Sequence, residues 1–347
     1  MGRNKPITIT MISLITIIYN DPYIVLSQHR ININIVAMSM THHQPAHPIQ
    51  HNPINPAHLY IYRVWMIVLC GIMYCNIDSI NYYIHQLWLS LQHNTYFTHD
   101  SFESILATIC LFIFINILHI MKLQHSIHNT IHKYGYYNLA ELYNTIYGAR
   151  RHQYDTHGKL VYYDSVWHAY LPALYYVIPI WTYDYLYPRR HILISKHVNN
   201  VPTLQSTVYE IVFNLFLYDL LYYIWHRFMH SNQYLYHTIH SVHHQYKHTE
   251  TQDTVRLSII EQLIDVLISI VILNITQSHP LTRSLYNICI TYLLVELHCN
   301  YDSMYMLHNL IPYNIVAGPI VHAKHHYNGR GHYAKFFTHC DKLFTKK

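Results

Sequence analysis

The spacing H-x-x-H-H occurs twice in this chain, as His240-Ser-Val-His243-His244 and as His322-Ala-Lys-His325-His326. Two apolar stretches, Leu257–Ile275 and Ser284–Leu297, lie between the copies, joined by the turn Gln277-Ser-His-Pro280. Two spans make one hairpin, so the chain returns to the side it left, and His244 and His298 come to one membrane face. His226 and His230 stand just before the first copy at i and i+4, and so share a helix face. On a helix, His240, His243 and His244 also share a face. Neutral imidazole is the commonest nitrogen ligand for transition metals. Any fold of this chain has to answer for these groups converging. Histidine is abundant here, 33 in 347 residues, and abundance accounts for His42, His43, His125, His128 and His132. It does not account for a repeated spacing on one side of a hairpin.

The apolar stretches imply a membrane. Only 11% of residues are charged and 51% are hydrophobic, against about 25% charged in an ordinary soluble domain. Further stretches at Val64–Ile77 (continuing weakly toward Leu89), Ser104–Met121 and Thr207–Trp225 approach the length that a span needs. Val166–Tyr187, broken by Pro172 and Pro179, reads as a kinked span or a re-entrant segment. The expected fold class is all-α, a polytopic membrane protein of about four to six transmembrane helices with a cytosolic histidine-rich helical cap. Three regions are expected: residues 1–60, a poorly defined N-terminal segment and linker; 61–204, an N-terminal membrane region; and 205–347, a catalytic domain. Arg3 and Lys5 before Ile7–Tyr19 resemble a short signal or anchor, and four prolines between Pro45 and Pro56 mark a linker.

Charge supplies the orientation. Lys122, Lys133, Arg150, Arg151 and Lys159 place 122–165 in the cytosol, and Lys324, Arg330, Lys335, Lys342, Lys346 and Lys347 do the same for the tail. Arg189, Arg190 and Lys196 conflict with a lumenal 188–206 loop, a conflict that a re-entrant 166–187 removes. The net charge of +5 is scattered, which argues against a nucleic-acid surface. Six cysteines form no C-x-x-C pair and read as buried free thiols on a reducing face.

The tail adds His298 in His-Cys-Asn-Tyr-Asp302, then His308. Eight or nine imidazoles exceed the needs of one metal, since structural zinc takes four ligands and catalytic zinc three. Two metal ions with open positions fit the number better. Asp219 precedes His226 by two helical turns, where it either orients His226 or His230 or makes a helix-packing hydrogen bond. Arg227 and Glu261 are read as organisers of the site or as interfacial ion-pair partners; His237, His248, His332 and His339 are read as outside it.

These residues carry a resemblance. The order H-x3-H, H-x2-H-H, single His, H-x2-H-H resembles the membrane fatty acid hydroxylase / sterol desaturase superfamily. Asp219-Leu-Leu-Tyr-Tyr-Ile-Trp-His226-Arg resembles the approach to its first box, and Leu235-Tyr-His-Thr-Ile-His240-Ser-Val-His-His-Gln the second. His298-Cys-Asn-Tyr-Asp302 and Tyr333-Ala-Lys-Phe-Phe-Thr-His-Cys-Asp341-Lys-Leu-Phe are similar to elements of its sterol-acting members, the C4-methylsterol oxidases and cholesterol 25-hydroxylase. The resemblance covers roughly residues 205–345. The chain departs from the pattern at Val321, Cys340, Asn300 and Thr345, none of them a box histidine.

The resemblance implies a non-haem di-iron centre, two Fe ions, held by His226, His230, His240, His243, His244, His298, His322, His325 and His326. It implies no catalytic residue beyond the ligands; Asp219, Asp302, His308 and Glu261 are expected as outer partners or further ligands. It implies an O2-dependent oxidoreductase that hydroxylates or desaturates a sterol or related lipid, with electrons from cytochrome b5 or a b5-reductase-type donor. The expected place is the endoplasmic reticulum, with the site facing the cytosol. Alternatives are a fatty acyl or sphingolipid hydroxylase, a sterol C5-desaturase, and a catalytically inactive membrane metal-binding homologue. A transporter would put its histidines inside spans, whereas these cluster just beyond span ends.

Overall fold

The computed structural model describes residues 54–134, 177–178, 180–247 and 249–344. The N-terminal anchor, most of the proline-rich linker, the polar region beyond residue 134 and residues 166–176 of the kinked stretch lie outside the described residues. The described residues form helices and 3-10 turns; their one β feature is an isolated bridge between Val316 and Phe337. The architecture is all-α.

Helix α1, Pro56–Cys75, starts at a proline in its first turn, with Asn55 capping Ala57 N. The chain breaks at Asn76, then runs through α2, Ile77–Leu91, and the short α3, Thr95–Thr98. Helix α4, Phe102–Tyr134, is 33 residues long and extends beyond the apolar stretch expected at 104–121. After α5, Arg190–His197, comes α6, Leu204–Ser231, opened by a Thr203–Ser206 capping box. Its 28 residues span about 42 Å. Helix α7, Gln233–Thr238, leads into a 3-10 turn at His240–Gln245 and a second at Thr251–Val255. The apolar hairpin follows as α8, Ile259–Ile275, and α9, Pro280–His298. Short α10, Leu307–Leu310, precedes α11, Pro319–Asn328, and α12, His339–Phe344.

Among the described residues, three helices are long and apolar enough to cross a membrane, within α1, α4 and α6. The hairpin helices fall outside that set for different reasons. Helix α8 has 17 residues and carries Glu261 and Asp265. Helix α9 buries 14 of its 19 residues, Arg283, Thr291 and Glu296 among them. Its polar side chains face protein, so α9 is the central post of the bundle. Leu293, Leu294 and Leu297 pack with Leu215, Tyr218 and Tyr222 of α6 and Ile272 and Leu273 of α8. On its other side Val295 and Cys299 meet Leu111, Ile115 and Leu118 of α4.

Contacts fix the two ends of the bundle. At one end Glu103 accepts from Arg283 (2.8 and 3.0 Å) and from Arg190 (2.6 Å), tying the starts of α4 and α9 to α5. Asn81 accepts from Leu204 N at the start of α6, at the same end. The histidines occupy the other end, where α6 and α9 finish. The 188–206 segment therefore sits opposite the histidines, while residues 166–176 and 179, on which the kinked or re-entrant reading rests, lie outside the described residues. Arg190 is buried against Phe97 and Phe102 and paired with Glu103, so its charge is not a free topological signal.

The cysteines need a correction. All six are free, and Cys110, Cys299 and Cys340 are buried. Cys70 and Cys75 are exposed, because no residue of α1 is buried and its apolar surface points outward.

Candidate metal centre

Nine imidazoles meet where α6, the first 3-10 turn, α9 and α11 converge. They form two nests. His226, His230, His240, His244 and His325 form one; His243, His298, His322 and His326 form the other. Within each nest one ligand-type atom per residue lies within 4.8 Å of all the others. Eight of the nine residues are buried and His230 is partly so. All nine are the residues singled out in the sequence.

The sequence does not show how the H-x-x-H-H units divide. His240 and His244 go to the first nest and His243 to the second. In α11 the sense reverses: His322 and His326 go to the second and His325 to the first. Around an α-helix, i+4 lies about 40° from i while i+3 lies about 60° to the other side. In α11 that difference separates His325 from His322 and His326, whereas His240–Gln245 is a 3-10 turn. The expectation that His240, His243 and His244 share one face is corrected, since both units straddle the two nests. Rings touch within and across the nests: His243 and His326 have centroids 4.4 Å apart within one nest, and His244 and His326 stand 4.7 Å apart across the two.

Backbone devices hold α11 in place. Gly318 precedes Pro319 in the first turn, and Gly329 ends the helix at φ 65°, its N–H donating to His325 O at 2.7 Å. A Cβ on Gly318 would lie 2.4 Å from the His308 ring. That ring is pinned by Asp302 at 3.0 Å, so it cannot swing aside. Gly318→Ala is expected to displace α11 and cost about 1–3 kcal/mol by overpacking. Thermal unfolding in detergent checks this, and an unchanged midpoint would show that the ring yields.

The outer ring nitrogens are fixed by acceptors. Nδ1 of His226 donates to Tyr333 O (2.7 Å), of His298 to Leu294 O (2.8 Å), and of His325 to Gly331 O (2.6 Å). Nδ1 of His240 meets Glu261 Oε1 at 2.8 Å. Each contact directs the Nε2 lone pair inward. Inside, His226 and His240 Nε2 stand 3.0 Å apart, His230 and His240 Nε2 2.9 Å, and His322 Nε2 3.1 Å from both His298 and His326. The buried Nε2 atoms of His243 and His244 have no hydrogen-bond partner among the described residues. Burial, followed by the neighbouring imidazoles, pushes the pKa values of His243, His244, His322 and His326 well below the ordinary histidine range. Burial drives His298 down to about 4. Neutral lone pairs facing one another at such distances are unfavourable unless a cation lies between them. Nitrogens bonded to one metal at about 2.1 Å and at right angles would stand about 3 Å apart, so the residues fit a metal in each nest.

Four other residues expected near the site are placed as follows. Asp219 accepts from Phe336 N (2.6 Å) and Phe337 N (3.1 Å), so it clamps the tail and does not orient a histidine. Of its two readings, the packing hydrogen bond is the one present. Glu261 lies behind His240. Arg227 bonds Tyr223 Oη and Phe344 O, away from both nests. His308 joins neither nest and pairs with Asp302 and, at 3.9 Å, with Glu296.

Burial works to lower the pKa of His308, and the hydrogen bonds and charges of Asp302 and Glu296 overcome it, raising it to about 9. The imidazolium is the favoured form at neutral pH. Its contribution, about 2–3 kcal/mol, is therefore complete below about pH 6.5 and lost as pH rises through the folded value. The stability gap between wild type and His308→Gln should narrow from pH 7 to pH 10. A gap that widens would contradict the assignment.

Sequence reasoning missed Lys335, which counted there as a surface charge. It is buried, and its Nζ donates to Asp265 Oδ1 (2.9 Å) and Oδ2 (3.1 Å). Its setting in an apolar-aromatic run, Tyr333-Ala-Lys-Phe-Phe, was the available signal.

Residues 211–346 match the family model described as fatty acid hydroxylase. The chain is 33% identical over 149 residues to a cholesterol 25-hydroxylase-like protein of Danio rerio, covering 43% of this chain and 59% of that one. It is 30% identical over 145 residues to cholesterol 25-hydroxylase of Homo sapiens, covering 42% and 53%. It is 29% identical over 147 residues to methylsterol monooxygenase 2-2 of Arabidopsis thaliana, covering 42% and 54%. The chain thus spans a little over half the length of these relatives. No solved structure matches it.

Proposed function

From a chain that carries a fatty acid hydroxylase domain over residues 211–346, we propose a membrane-bound, two-metal oxygenase that hydroxylates a sterol or related lipid. The observation that carries the proposal is the pair of histidine nests, five and four imidazoles with inward Nε2 atoms. Imidazole suits iron, zinc, copper and nickel, and iron is the choice consistent with relatives described as hydroxylases and monooxygenases. His226, His230, His240, His244 and His325 would hold one ion; His243, His298, His322 and His326 would hold the other.

Iron bound there supplies the electron-transfer chemistry with O2 that side chains lack. The net reaction is R–H + O2 + two electrons + two protons giving R–OH + H2O. The electrons come from a separate donor of the cytochrome b5 class.

The chain's own residues do the rest. The outer acceptors Glu261, Leu294 O, Gly331 O and Tyr333 O hold the rings in one tautomer and orientation. Burial keeps the imidazoles neutral without prior proton release and keeps bulk water from the reacting carbon. All nine donors are neutral, so two divalent ions would leave the centre strongly positive and ready to accept oxygen ligands. The histidine end faces the cytosol of the endoplasmic reticulum in this reading, where a soluble donor domain reaches it.

Glu261 gives a first check. Glu261→Gln keeps shape and removes charge behind His240, and metal affinity should fall about 10–100-fold. Chelator competition measures it; unchanged affinity would remove Glu261 from the site.

The second reading, a metal-holding homologue without turnover, shares the nests and lacks the product. Lipid profiling of a sterol-producing cell separates the two. Expression of wild type, set against His240→Ala, should yield a new oxysterol. Metal in both nests with no new oxidised lipid would establish the inactive homologue.

A further inference from the structure

The nine imidazoles differ in their access to water. In the second nest His243, His298, His322 and His326 are at most 3% exposed, and in the first His226, His240, His244 and His325 are at most 5% exposed. His230 alone of the nine is partly exposed. A hydrated ion has to meet a ligand at the surface before it can shed its waters, and a bare ion does not cross apolar packing. A route into the centre therefore needs nitrogen lone pairs along its length, beginning at one that water reaches.

Two half-buried tyrosines frame His230. The Tyr236 and Tyr333 ring centroids lie 5.3 and 5.2 Å from that of His230. Both stand on lightly packed segments. Tyr236 belongs to α7, six residues of which none is buried. Tyr333 ends the loop from Gly329, in which Gly329, Gly331 and His332 take φ of 65°, 69° and 56°. Arg330 and His332 of this loop are exposed, and a Cβ on either glycine would meet open space. The same loop supplies two anchors of the first nest, Gly331 O to His325 and Tyr333 O to His226. Lifting it frees two rings of that nest at once. Segments with few buried contacts open at the lowest free energy.

The second nest is enclosed by better-packed elements. His298 ends α9, which buries 14 of its 19 residues, and His322 and His326 lie on the buried side of α11. Its contact with the first nest runs through a pair of sequence neighbours. His244 belongs to the first nest and His243 to the second, with ring centroids 5.7 Å apart. Their buried Nε2 atoms are the two that lack a hydrogen-bond partner among the described residues of the nests' inner nitrogens. The His244 ring also stacks on that of His326. One open lone pair on each side of the boundary is what transfer of an ion between the nests requires.

We propose that divalent transition-metal ions enter and leave this centre by one port, at His230 between Tyr236 and the Gly329–Tyr333 loop, and that the second nest fills through the first by way of His244 and His243. The first ion to bind moves inward and the second follows it. The inference rests on the two-metal centre of the proposed function and is independent of turnover.

The test uses the full chain in phosphatidylcholine nanodiscs loaded with Co2+, mixed with excess EDTA, with bound cobalt followed by visible absorption and metal analysis. Release should occur in two phases with rates at least about tenfold apart, since the inner ion waits for the outer site to empty and for a larger opening. His322→Ala should abolish the slow phase and keep the fast one. Tyr236→Ala and Tyr333→Ala, from opposite sides of the port, should each speed both phases at least about tenfold. Val295→Ala makes space beside the second nest, one turn before His298 and away from the port, and should leave both rates unchanged. A single phase, a slow phase that neither tyrosine variant moves, or a slow phase that Val295→Ala speeds would overturn the inference. Two ordered phases in a chain that makes no oxidised lipid would sink the proposed oxygenase alone; turnover with a single release phase would sink this inference alone.

Discussion

Replacing His325 by alanine is expected to empty the five-histidine nest and reduce turnover by more than about 100-fold, above the range for losing an outer partner. His325 is fully buried, and its Nε2 stands 3.1 Å from that of His226. Its ring also packs against those of His230 and His244. The ring is held from behind by Gly331 O and the helix is stopped just after it by Gly329. Nothing nearby can substitute, because the neighbouring His326 is committed to the other nest. Metal analysis should show loss of one ion with the second retained at least in part. His237→Ala is the matched control: it lies in the same histidine-rich stretch, is exposed and joins neither nest. Full metal content and activity in His325→Ala would break the account of that nest.

The second large effect concerns stability. Lys335→Met is expected to cost about 3–5 kcal/mol, the range for leaving one member of a buried ion pair alone. Lys335 and Asp265 are 5% and 4% exposed. The ammonium also donates to Tyr218 Oη at 3.2 Å and lies 3.8 Å from the Tyr222 ring centroid. Without it, the Asp265 carboxylate keeps only the Tyr218 hydroxyl as a hydrogen-bond partner from this group. The double variant Asp265→Leu/Lys335→Met should recover much of the loss, because no charge is then stranded. Thermal unfolding of the three proteins distinguishes these outcomes. Equal loss in single and double variants would mean that packing around Lys335 matters and the pair does not.

The histidines were legible because imidazole is chemically specific and the boxes are local: i, i+3 and i+4 can be read from the chain without knowing its fold. The hairpin followed from the two apolar stretches, and the structure brings His243 and His298, ring centroids 5.3 Å apart, together as that hairpin requires. Longer-range facts were not legible. The division of each H-x-x-H-H unit between nests depends on how α11 packs against the 3-10 turn at His240–Gln245, and the spacing is the same whichever way they divide. Asp219 looked poised for a histidine because it stands two turns away on the same helix; the tail reaches it first, offering two backbone N–H groups. Lys335 and Arg190 were read as topological charges, although each is neutralised inside the bundle by a carboxylate distant in sequence. Similarly, α9 had the length of a membrane span, and only tertiary packing shows that other helices surround it.

These cases share one physical cause. Polar groups in a membrane-embedded bundle are tolerated when other helices satisfy them, and the identity of the partner is a property of the fold. Metal-ligand spacing is different, since it repeats within a single helical turn and leaves its mark in the sequence.

The most direct test of the two-nest account is anomalous diffraction from crystals of the iron-loaded chain, recorded at the iron absorption edge. The account predicts two peaks, one within bonding distance of Nε2 of His226, His230, His240, His244 and His325, the other of His243, His298, His322 and His326. A single peak, or peaks away from these nitrogens, would contradict it.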